Sequence, residues 1–179
     1  MKNLFFIFIT VLLISCNNSE KDKTENNSST DIEHTESTTY YLIRHAEKDR
    51  SDTSNSDPEL TPEGHERAKR WAKYFSDKEL DLIYTTPFVR TMQTVLYTAS
   101  EQNIEPKRYD PTSLYSEEFK KNTVGKNVLI VGHSNTTPAF VNAIIGDNRY
   151  PEMDDYNNSS LFIVRIKGDA TSVQEVTIE

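Results

Sequence analysis

Apolar positions along the chain fall into short unbroken runs that alternate with segments of helical period. Thr39 to His45 (Thr-Tyr-Tyr-Leu-Ile-Arg-His) is a β-branched and aromatic run, read as a buried strand. The polar loop 46–60 follows, with Asp49, Asp52, Asp57 and Pro58. Thr61 then predicts a helix N-cap with Pro62 in the first turn, and Ala68, Trp71, Ala72 and Phe75 recur as one apolar helical face. Residues 81–84 predict a second short strand. Thr86-Pro87 repeats the cap-then-proline signal, ahead of a helix whose buried face is Phe88, Met92, Val95, Leu96 and Ala99. Residues 103–125, with Pro106, Pro111 and Gly125, show no clear period. Residues 126–132 are the clearest buried strand, and Pro138 to Ile145 reads as a helix. Runs 161–166 and 173–178 predict a closing hairpin around Lys167-Gly168-Asp169.

Strands alternating with amphipathic helices predict an α/β domain, a three-layer α/β/α sandwich around a mainly parallel sheet. Ligands of such sheets sit outside the carboxyl ends of the strands. Arg44-His45 and Gly132-His133 stand at two such ends, and Arg90 lies just past a third.

The amino-terminal end has a different texture. Lys2 and the nearly unbroken apolar run from Leu4 to Ile14 have the make-up of a secretory leader, too short to span a membrane. Leu13-Ile14-Ser15-Cys16 resembles a bacterial lipobox, so residues 1–16 are expected to be a lipoprotein signal peptide ending at a lipidated Cys16. Cys16 is the only cysteine, which excludes an intramolecular disulfide. Residues 17–38 hold Ile32 as their only large aliphatic and read as a disordered polar tether. The folded domain is then 39–179, a usual size for one core. The expected location is extracytoplasmic, membrane-anchored through lipid.

The formal net charge is −8. Six acids against two lysines put −4 of it in the tether, so the domain is only mildly acidic. It has no basic stripe, and a nucleic-acid partner is not expected. A small anionic ligand would have to be held by local cations.

Several side chains have the chemistry for that. A neutral His45 imidazole can act as a nucleophile, its second ring nitrogen donating to a backbone carbonyl that fixes the tautomer. Arg44 and Arg90 offer planar forks that match two phosphate oxygens, and Arg90 falls in a first helical turn, where free N–H groups favour an anion. His133 follows a tight Gly132 turn, with Ser134 and Asn135 as further donors. His34, in the tether, and His65, on a helix, carry no such context. No spacing of His, Cys or acids suggests a metal site, and no cofactor is expected.

Four fragments in this order resemble the histidine phosphatase superfamily, the phosphoglycerate-mutase-like clan: Arg44-His45-Ala46-Glu47, Leu60-Thr61-Pro62-Glu63-Gly64, Thr86-Pro87-Phe88-Val89-Arg90-Thr91 and Gly132-His133-Ser134-Asn135. The likeness spans residues 39–179 and is to the compact bacterial phosphohistidine-phosphatase-like branch. It implies a phosphoglycerate mutase-like fold and a metal-independent phosphatase that forms a phosphohistidine on His45. Arg44, Arg90, His133 and Asn135 would bind the phosphoryl group. The family's general acid often follows a leucine by two positions. In Leu114-Tyr115-Ser116-Glu117-Glu118 that position is Ser116, so Glu117, one residue later, is the first candidate, with Glu118, Glu47 and Asp49 behind it. The displaced acid leaves a second reading open, a lipoprotein that binds a phosphate ligand and turns over poorly.

Overall fold

The computed structural model describes residues 36–179. The expected leader 1–16, with Cys16, and tether residues 17–35 lie outside the described residues.

In chain order the elements are β1 (Ser37–Arg44), α1 (Pro62–Phe75), β2 (Leu82–Thr85), α2 (Val89–Gln102), β3 (Lys107–Arg108), α3 (Glu117–Thr123), β4 (Asn127–Gly132), α4 (Thr136–Ile145), β5 (Ser160–Lys167) and β6 (Ala170–Thr177). They form one six-stranded sheet in the order β3-β2-β4-β1-β5-β6. The first four strands of that order run parallel; β5 is antiparallel to β1 and β6 to β5.

Both central strands, β1 and β4, are covered on two faces, which is why they read as continuous apolar runs. Alternate residues serve opposite layers. Tyr40, Leu42, Val128 and Ile130 pack with Phe119 of α3 and with Phe140, Val141 and Ile144 of α4. Tyr41, Ile43, Leu129 and Val131 pack with Trp71 and Phe75 of α1 and Val95 of α2. The sandwich is therefore α/β/α, as the alternation predicts.

The boundaries differ at informative places. Ser37 and Thr38 belong to β1 and not to the tether, paired with Lys167 and Ile166. Thr38 is buried, and its hydroxyl accepts the Gly125 N–H at 2.8 Å, so a polar residue is ordered by a specific partner. α1 starts as expected, with Thr61 Oγ1 accepting the Gly64 N–H at 3.1 Å.

α2 departs from expectation twice. Thr86 does not cap it; the helix begins at Val89 after Phe88, with no side-chain cap of its own. Its core face is Thr91, Thr94, Val95 and Thr98, while Leu96 is 53% exposed. Thr91 and Thr94 donate to the carbonyls of Phe88 and Arg90, at 2.8 and 2.7 Å, which lets those hydroxyls be buried without loss. Counting apolar residues alone misassigns such a face. In the aperiodic stretch 103–125, Ser116 caps the short α3 by accepting the Phe119 N–H. α4 starts before Pro138, at Thr136, with Asn135 as its cap.

Candidate active site

Parallel pairing of β1 with β4 sets Arg44 opposite Gly132. The chain therefore emits His45 and His133 side by side, with ring centroids 5.4 Å apart. Both line a cavity of about 440 Å3 together with Arg44, Lys48, Phe88, Arg90 and Asn135, among others.

His45 is buried, and its Nδ1 donates to the Ala46 carbonyl at 2.7 Å. That bond fixes the tautomer and leaves Nε2 with a lone pair. Its backbone is pinned on both sides: its N–H reaches Gly132 O, and its carbonyl accepts from Asn158 Nδ2 at 2.7 Å. Burial, reinforced by the cations Arg44 and Arg90, pushes the ring down to about 3. The imidazole is neutral at ordinary pH, the state a nucleophile requires.

His133 bonds Thr86 Oγ1 through Nε2 at 2.8 Å, and Arg90 Nη2 approaches its Nδ1 at 3.4 Å. Thr86, read from sequence as a helix cap, instead orients this ring. Burial, with Arg90, Arg44 and Lys48 nearby, lowers His133 to about 4.

The two arginines are held differently. Arg44 is almost wholly buried. Its Nη1 donates to the Asp154 and Asn157 carbonyls at 2.9 and 3.4 Å, and its Nη2 meets Asp155 Oδ1 at 2.6 Å. The fork is thus aimed by the α4–β5 loop, while its Nε–H has no partner among the described residues. Arg90 Nη1 bonds Asp57 at 3.2 Å, and its guanidinium carbon lies 4.3 Å from the centre of the Phe88 ring. Phe88 also meets the edge of His133, with centroids 5.0 Å apart. The amino terminus of α2 does attract an anion, but that anion is Asp57, whose carboxylate accepts the Val89 N–H.

The other expected residues separate. Asn135 lines the cavity while its Oδ1 takes the Thr136 N–H. Ser134 lines it too and donates to Glu152 Oε1 at 3.0 Å. Glu117 is not at the cavity: its side chain is 89% exposed and pairs with Lys120 on the surface of α3. As an acid following a cap residue, it serves the first helical turn. Glu118 borders a different depression near Tyr84 and Asn122. Glu47 is taken by Arg67 at 2.6 Å, and Asp49 accepts the Ser51 N–H in an exposed turn. The fragment Leu60–Gly64 does not reach the cavity either; Thr61 N–H bonds the Glu47 carbonyl and braces the chain after His45.

Sequence reasoning missed Lys48, Thr86, Asp57, Glu152 and Asp155. Lys48 and Asp57 lie near the recognised fragments and were within reach of a charge count. Glu152 and Asp155 come from a segment with no periodic signal and are brought in by the loop's return to β5. Among the described residues, no three His, Asp or Glu side chains converge as metal ligands would.

Residues 40–112 match the family model described as histidine phosphatase superfamily, branch 1. Phosphoserine phosphatase 1 of Hydrogenobacter thermophilus is 36% identical over 73 residues, 38% of this chain and 35% of that protein. The chain thus matches about a third of the length of that curated relative. The solved protein histidine phosphatase SixA complexed with tungstate has a TM-score of 0.62 at 17% identity, over 78% of this chain and 96% of the other. YhfR of Bacillus stearothermophilus has a TM-score of 0.59 at 20% identity, over 76% and 95%. The segment that carries Arg44, His45 and Arg90 is similar to the histidine phosphatase superfamily, in a domain with the fold of SixA and YhfR.

Proposed function

We propose that the chain is a phosphatase that hydrolyses a phosphate monoester through a phosphohistidine on His45. The observation that carries this reading is the His45 ring itself: buried, neutral, and fixed by the Ala46 carbonyl so that Nε2 keeps its lone pair. Nε2 attacks phosphorus, and the ester oxygen leaves with a proton. Water then attacks the phosphohistidine, releasing phosphate and restoring the imidazole. Arg44, Arg90 and His133 hold the phosphoryl oxygens, where each well-placed donor is worth about 3–4 kcal/mol in the transition state. Lys48 adds a further cation at the cavity. The steps require no metal or organic cofactor.

The open cavity favours hydrolysis over transfer to a second substrate, which would need water excluded. A binding lipoprotein with little turnover is the alternative; phosphate binding without release of alcohol would select it. The test is to mix the purified chain with labelled phosphate ester and quench rapidly. The expected adduct is stable to alkali and labile to acid, and absent in His45→Ala. An alkali-labile adduct, or one that persists in His45→Ala, contradicts the reading.

The proposal includes export and anchoring through Cys16, supported by the leader-like sequence and the lipobox likeness. Mass spectrometry of the mature amino terminus should find a lipidated Cys16, and Cys16→Ser should leave an unprocessed precursor. A mature terminus at any other residue overturns this part alone.

A further inference from the structure

The α4–β5 loop is fastened beside the cavity at two points. On the His133 side, the Met153 N–H donates to the Ser134 carbonyl at 2.9 Å, and Ser134 Oγ donates to Glu152 Oε1 at 3.0 Å. On the Arg44 side, the Asp154 carbonyl and the Asp155 carboxylate receive the Arg44 guanidinium. The loop so placed brings two carboxylates to the cavity wall, Glu152 and Asp155. Glu47, Asp49, Asp57, Glu117 and Glu118 are not among its lining residues.

The two carboxylates are not equivalent. Asp155 has an arginine on each oxygen: Arg44 on Oδ1 and Arg50 on Oδ2. Those pairs hold it down to about 2, so it stays ionised and has no proton to give. Its charge aims Arg44. Glu152 makes no ion pair among the described residues, and a single neutral hydroxyl holds one of its oxygens. Neither of its oxygens is spent on a cation among the described residues, unlike those of Asp155.

Resting on the phosphatase reading, we infer that Glu152 is the proton donor to the leaving oxygen. In the first step the His45 Nε2–P bond forms and the P–O ester bond breaks. The electron pair of that bond stays on the ester oxygen, which takes the Glu152 proton and leaves as the alcohol. In the second step Glu152, now a carboxylate, accepts a proton from the water that attacks phosphorus. The N–P bond breaks, inorganic phosphate departs, and Glu152 is protonated again. The acid thus comes from the loop before β5 and not from the segment after α2, where Ser116 occupies the expected position. Ser134, adjacent to His133, ties the donor to the phosphate-binding turn.

The experiment compares kcat/KM for an alkyl phosphate and for nitrophenyl phosphate in wild type, Glu152→Gln and Asp155→Asn. This parameter reports events up to departure of the leaving group and is blind to slow hydrolysis of the phosphoenzyme. Glutamine keeps the size of the side chain and an oxygen for Ser134, and thermal unfolding checks that the fold is retained. General acid catalysis contributes typically about 10²–10⁴-fold. Glu152→Gln should lose that factor on the alkyl ester. It should lose less than about tenfold on the nitrophenyl ester, whose departing anion barely needs a proton. Asp155→Asn should slow both esters alike. A wild type that releases phosphate from neither ester overturns the phosphatase reading and this role with it. A wild type active on both, with Glu152→Gln slowing the two equally or not at all, overturns Glu152 alone. So does a leaving-group dependence that appears in Asp155→Asn instead.

Discussion

Gly64 lies so close to Glu47 that a Cβ added to it would come within 2.2 Å of the Glu47 carbonyl oxygen. The first turn of α1 therefore rests on the backbone two residues past His45. The same carbonyl accepts the Thr61 N–H at 2.9 Å. Gly64→Ala must push helix and strand end apart, and overpacking of this kind costs about 1–3 kcal/mol. Urea unfolding should show the loss, and hydrolysis should fall with it because the Ala46 carbonyl that fixes His45 lies in the displaced segment. A variant as stable as wild type would mean that α1 can shift without disturbing this contact.

His45 and His133 make stability depend on pH. Their folded values, about 3 and about 4, lie below the ordinary 6.5 of histidine. Below pH 6.5 the unfolded chain therefore binds protons that the native state refuses. Their contribution is fully present above that pH and is lost as pH falls towards 4 and 3. Each histidine adds a slope of up to about 1.4 kcal/mol per pH unit in this window. Asp155, depressed from 3.8 to about 2, acts only at lower pH. Urea unfolding at pH 7, 6 and 5 should show falling stability, with a shallower slope in His45→Asn. An unchanged slope in that variant would mean His45 is not buried neutral.

How far the sequence foretold this site follows from what each residue depends on. His45, Arg44 and His133 sit at the ends of strands fixed by strong apolar runs, and strand ends of a parallel sheet converge. Their juxtaposition was legible. So was the His45 tautomer, since a neighbouring carbonyl is the nearest acceptor. The Thr86 role was not: a threonine before Pro87 reads locally as a cap, and only the pairing of β2 with β4 brings it to His133. The placement of Glu117 away from the cavity was hidden for a related reason. Its position one residue from the expected acid says nothing about the direction of a side chain in the first turn of a half-exposed helix. Glu152 and Asp155 lie more than a hundred residues from Arg44 in a loop without period, where only the tertiary return shows them.

Arg90 tests shape against charge. It bonds Asp57, approaches His133 Nδ1 and stacks on Phe88, three contacts that need a planar fork. Arg90→Lys keeps the charge but a point ammonium cannot make all three. A loss of about tenfold or more in kcat/KM for a phosphate ester is expected, equal to about 1.4 kcal/mol of transition-state binding. Activity within about twofold of wild type would reduce Arg90 to a partner of Asp57.

The charge around His133 gives the last test. Burial together with Arg90, Arg44 and Lys48 keeps the ring neutral down to about pH 4. Because Arg90 Nη2 can only donate to Nδ1, a neutral His133 carries its proton on Nε2, facing Thr86, and its Nδ1 lone pair cannot donate to an oxyanion. Binding of a dianion among these cations reverses their electrostatic effect and favours the imidazolium, whose Nδ1–H can then donate. Tungstate stays a dianion across the neutral range, so it isolates the protein's own proton. Nitrogen-15 NMR of the imidazoles should show His133 titrating at higher pH with tungstate than without it. Tungstate affinity should weaken as pH rises through the bound value, because binding takes up a proton. A His133 midpoint that stays put or falls on binding would mean that this ring shapes the pocket without donating to the phosphoryl group.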